Sequence, residues 1–132
     1  MGMSLYCDII YDNPKHIEHF SYFSGLTRDY MNDFSELYQA YLPQAPVIER
    51  TWNNERSRFE FEFSYEKLQH IVSLLEVTRD NIVSKYSKKA YNDKVCSDLS
   101  ELNIIIDEFK YLVLYNKYTF DGKDCKYLFY IQ

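Results

Sequence analysis

The chain reads as α+β: a single domain over residues 1–132 in which an antiparallel sheet, formed by an N-terminal strand, a central hairpin and a C-terminal hairpin, packs against about four helices. Three observations predict this. RFEFEF alternates Phe59, Phe61 and Phe63 with charged residues at the period of a half-buried strand. Two long stretches after Ser64 repeat apolar residues at helical spacing. Only three glycines and three prolines punctuate the chain, and no Pro/Gly/Ser linker or internal repeat divides it.

In order along the chain, SLYCDIIYD reads as the first strand. Asn13-Pro14 then supplies an N-cap with proline at the first helical position, opening a short helix through His16, Ile17, Phe20 and Phe23 that stops near Gly25. Thr27 caps a second helix, whose apolar face runs through Tyr30, Met31, Phe34, Leu37, Tyr38 and Tyr41 to Pro43. VIERTW and RSRFEFEF form a hairpin, with its turn at Asn53-Asn54 because asparagine tolerates positive φ. Phe59, Phe61 and Phe63 are expected to face the core, and Arg56, Arg58, Glu60 and Glu62 to make a wet face.

Ser64 begins a third helix with Leu68, Ile71, Val72, Leu75, Ile82, Val83 and Tyr86 inward, and with Lys85, Lys88 and Lys89 where cations suit the macrodipole. A fourth follows Ser97, burying Leu99, Leu102, Ile105, Ile106, Phe109 and Val113. KYTF, a turn at Asp121-Gly122 and CKYLFYI close the chain, the last apolar on both sides and so suited to the inside of the sheet. Met1-Gly2 ahead of Met3 is read as a cloning remnant, and MGMSLYCDII carries no signal-peptide pattern.

Composition narrows the function. With 46% hydrophobic residues the chain can fill a core without metals or cross-links, and 14 tyrosines, nine phenylalanines and one tryptophan make rings its dominant packing material. Cys7, Cys96 and Cys125 are odd in number and far apart, as expected for reduced thiols in a cytoplasm. No apolar run is long enough to span a membrane. The net charge is −5. Its acidity concentrates in residues 1–49, where Asp8, Asp12, Glu18, Asp29, Asp33, Glu36 and Glu49 face only Lys15 and Arg28. Direct nucleic-acid binding is therefore disfavoured, and a basic protein partner favoured.

Chemistry is hard to find. There is no phosphate-cradling glycine loop, GxSxG elbow or HExxH. His16 and His19, three apart on the expected helix, are close enough to share a metal, but two histidines beside an apolar stripe more often flank a core, so no metal or cofactor is assigned. No catalytic residue is assigned either.

Binding features are easier to name. Asp29, Asp33 and Glu36 form one acidic row on a helix without lysine, with Glu18 as a neighbour candidate. Arg50 and Trp52 share strand parity and are residue types common at interface hot spots. Arg79 falls within the apolar stripe of its helix, where a charge needs a nearby acid or a path to solvent. These features fit a small cytoplasmic inhibitor, of the immunity or antitoxin kind, that neutralises a toxin such as a nuclease by direct binding. The alternative is an interaction subunit of a larger phage or viral assembly, and the third reading a metal-dependent nuclease or cysteine hydrolase.

Overall fold

The computed structural model describes residues 5–12, 15–20, 49–85 and 93–132. Within them the order is β1 (Leu5–Asp12), β2 (Lys15–Phe20), β3 (Thr51–Asn53), β4 (Arg58–Ser64), α1 (Tyr65–Lys85), α2 (Asp93–Thr119) and β5 (Cys125–Ile131). The five strands form one antiparallel sheet in the order β2-β1-β5-β4-β3.

Strand alternation divides the sheet into two faces. Leu5, Cys7, Ile9 and Tyr11 of β1, Phe61 and Phe63 of β4, and Tyr127 and Phe129 of β5 are buried on the face that meets the helices. Phe109 of α2 packs on Phe129 with ring centroids 5.2 Å apart, and Tyr65 of α1 stacks on Tyr127 at 6.4 Å. Leu68, Ile71, Leu75 and Ile82 of α1, and Leu102, Ile105, Ile106 and Leu112 of α2, complete this core. Burying each such side chain stabilises the fold by roughly 1.5 to 3 kcal/mol.

Several expectations are corrected. The segment expected as the first helix is β2, with Asp12 paired to Lys15 and Ile10 to Ile17. HIEHF is short and poor in strong helix formers, so ladder hydrogen bonds to β1 outweigh the N-cap signal. The second expected helix lies outside the described residues, among which there are two helices rather than about four. Nor does a C-terminal hairpin form. The buried stripe of α2 runs on through Leu112 and Asn116, so the helix takes in Lys117 to Thr119 and leaves β5 as a single strand between β1 and β4. On α1, Val83 is exposed rather than inward.

The central turn is also longer than expected. It spans residues 54–57, with Asn53 opposite Arg58 and Trp52 opposite Phe59. Positive φ falls on Ser57, at 51°, while Asn53 Oδ1 accepts a hydrogen bond of 3.1 Å from the Arg56 amide. The asparagine thus serves as a side-chain acceptor and the left-handed position moves three residues on. A turn confined to Asn53-Asn54 would instead have set Trp52 against Glu55.

Local signals hold at the start of α1 and beyond the end of α2, whereas α2 begins at Asp93 rather than after Ser97. Ser64 Oγ accepts the Lys67 amide at 3.0 Å and caps α1. Beyond α2, Asp121 and Gly122 take positive φ of 55° and 67°, and the carbonyl of Asn116 accepts from the amides of Phe120 and Gly122. The side chain of Asn116 is fully buried: Oδ1 accepts from the Tyr11 hydroxyl at 2.9 Å, and Nδ2 donates to the Lys123 carbonyl at 2.9 Å. One residue therefore joins β1, the end of α2 and the turn into β5. Asn116→Leu should cost about 1 to 3 kcal/mol, because it leaves a buried phenol without its acceptor. Urea unfolding tests this, and Tyr11→Phe combined with Asn116→Leu should recover part of the loss.

Candidate functional site

The hairpin register builds an aromatic cluster at one edge of the sheet. Trp52 and Phe59 are directly opposed on β3 and β4, their ring centroids 4.9 Å apart and their planes inclined by 69°. The Arg50 guanidinium lies 3.8 Å from the Phe59 centroid, on the ring face where a cation is attracted. Trp52 is 51% exposed and Phe59 44%. Phe59 is thus a correction to the core expectation: it shares the parity of Phe61 and Phe63, yet sits at the margin of the helix layer. Its place beside Trp52 was hidden in the sequence because the register depends on turn length.

The opposite face of the sheet corrects a second expectation. Arg58 and Glu60 are not on a wet surface: they are 7% and 9% exposed. Arg58 Nε donates to Glu60 Oε2 at 2.8 Å and Nη1 donates to Gln132 Oε1 at 2.8 Å, with the guanidinium 3.5 Å from the Tyr130 ring centroid. Asn53 Nδ2 donates to Glu60 Oε1 at 3.2 Å. Tyr130 stacks on Tyr6 at 5.5 Å and donates its hydroxyl to Asp8 Oδ1 at 3.2 Å, while the His19 imidazole donates to the same oxygen at 2.7 Å. Burial and then the Asp8 carboxylate push the Tyr130 phenol above its usual range, with Arg58 opposing. Among the described residues no buried side-chain nitrogen or oxygen lacks a partner. Such a closed network locks side chains in place and leaves the Arg58 and Glu60 groups occupied.

The other sequence candidates are scattered. His16 and His19 stand on a strand, so their odd spacing sends them to opposite faces: His16 to Glu18 at 2.6 Å and His19 to Asp8. The hydrogen bond from His16 holds the Glu18 carboxyl below its usual range, with desolvation opposing and Tyr115 assisting. Glu18 lies on β2, at the far edge from Arg50 and Trp52. Arg79 is partly buried, its Nε 3.2 Å from Asp80 and its Nη2 3.8 Å from Glu76. Asp29, Asp33 and Glu36 lie outside the described residues.

The thiols show how burial governs reactivity. Cys7 is fully buried and its thiol is pushed well up by desolvation, while burial takes Cys125 up to about 11. Both therefore carry their protons at neutral pH, the opposite of what a nucleophilic cysteine requires. Cys96 is exposed on α2. Among the described residues no three His, Cys, Asp or Glu side chains converge as a metal site, and no helix is long and apolar enough to cross a membrane.

No protein-family model, curated protein or solved structure matches the chain.

Proposed function

We propose that this protein acts by binding another protein, in the manner of an immunity or antitoxin protein that neutralises a toxin, and that the partner seats on Arg50, Trp52 and Phe59. The observation that carries this reading is the half-exposed Trp52–Phe59 pair under the Arg50 guanidinium. Large rings left in water forgo burial that the fold could otherwise use, and tryptophan and arginine are the residue types most enriched among binding hot spots. A strand edge beside such a cluster also presents backbone groups to a partner strand. The net charge of −5 and the acidic row Asp29, Asp33 and Glu36 favour a basic partner, attracted at long range.

The test is binding kinetics against the partner recovered from the source. Trp52→Ala should weaken affinity about 30-fold, equivalent to about 2 kcal/mol, mainly through faster dissociation. Joint reversal at Asp29→Lys, Asp33→Lys and Glu36→Lys should slow association and flatten its dependence on salt. Circular dichroism must show both variants folded. Unchanged affinity after Trp52→Ala would remove the aromatic edge from the interface, and unchanged association after the reversal would remove the acidic row.

A further inference from the structure

We propose that the opposite edge of the sheet, β2, pairs antiparallel with β2 of a second copy of this chain, so that one sheet runs through a two-fold dimer. Among the described residues β2 ends the sheet, its one strand neighbour being β1. At six residues it is twice as long as the three-residue β3 at the other edge. An edge of this length offers a row of main-chain groups to an incoming strand.

The side chains select the second copy as that strand. Directly opposed residues of an antiparallel pair project from the same face, so a two-fold axis normal to the sheet must pass midway between one residue of β2 and the same residue of its mate. Centred on Ile17, the register sets Ile17 against its own mate, His16 against Glu18, and Lys15 against His19. Ile17 is 39% exposed and lies at the centre of the apolar contact. His16 and Glu18 are already partners within one chain at 2.6 Å, and the dimer gives each a second partner of the same chemistry across the seam. His19 is backed by Asp8, so the Lys15 ammonium approaches an imidazole held on a carboxylate. Centring the axis on Glu18 would oppose two carboxylates, and centring it on His16 two imidazoles. The charges that repel a foreign strand therefore fit this one register.

The helix layer supports the same seam. Phe20 meets Tyr115 and Tyr111 of α2 edge-on, with centroids 4.9 Å and 6.2 Å apart, which places both tyrosines on the β2 side of the helix. Tyr111 is exposed there. In the dimer these rings from both copies roof the junction, apolar cover of the kind that stable strand additions need.

Light scattering across a range of concentrations should give twice the chain mass for the wild type and the single-chain mass for Ile17→Lys, which opposes two lysines on the axis. Because Ile17 projects from the face away from the helices, Ile17→Lys should keep the wild-type circular dichroism, and its melting should lose the dependence on protein concentration that dimerisation gives the wild type. In a Cys96→Ser background, Ile17→Cys should cross-link to its mate under mild oxidation, since opposed Cα atoms lie within disulfide reach. Lys15→Cys in the same background should not, because four residues of strand separate the two symmetry-related positions by about 13 Å. A wild type that stays single at every concentration, a dimer that survives Ile17→Lys, or equal cross-linking by the Lys15→Cys variant would each overturn the proposal.

Discussion

Replacing Glu60 by alanine is expected to lower stability by about 3 to 5 kcal/mol, the usual cost of stranding one member of a buried ion pair. Arg58 would keep its bond to Gln132 and its place over Tyr130, yet lose the carboxylate that balances its charge at 2.8 Å. Arg58→Met together with Glu60→Leu should recover most of that loss, because a well-packed apolar pair no longer requires desolvated charges. Urea denaturation of the two variants against wild type measures both effects. A Glu60→Ala midpoint equal to wild type would show that this face is open to water.

The second large effect separates phenylalanines that look equivalent in the sequence. Phe61→Ala should cost about 3 to 5 kcal/mol, since it opens a cavity between the helix layer and the sheet. Phe59→Ala, two residues away on the same face, should cost about 1 kcal/mol or less, because nearly half of that ring is already in water. The same pair should reverse order in partner affinity, where Phe59 contributes and Phe61 does not. Equal stability losses would place Phe59 in the core and remove it from the proposed binding edge.

Arg58, Glu60, Trp52 and Phe59 show where sequence reading stops. Alternation shows that Arg58, Glu60 and Glu62 share a face, and nothing in it shows that the first two are buried while Glu62 is exposed as expected. Gln132 and the rings of Tyr130 and Tyr6, which enclose the Arg58–Glu60 pair, come from chain ends more than fifty residues away. Trp52 and Phe59 meet because the turn holds four residues, and two adjacent asparagines point to a shorter one. Phe59 is left uncovered because the β4–β5 ladder begins at Glu60 and stops short of it, an outcome of register between distant strands rather than of strand pattern.

What the sequence determined by itself is the set of local and periodic features: β4, both long helices, the Ser64 cap, the Asp121-Gly122 turn and a last strand apolar enough to lie inside the sheet. Each rests on backbone propensity or on the solvent contrast between two sides of one element, and neighbours in the chain are enough to express it. Tertiary structure alone decided that KHIEHF is a strand, that α2 takes in Lys117 to Thr119, and which charges are buried. In a six-residue segment the intrinsic difference between helix and strand is small, and a ladder to β1 supplies main-chain hydrogen bonds that exceed it. Burial depends on what lies across the sheet, a relation between distant residues that no period within either of them records.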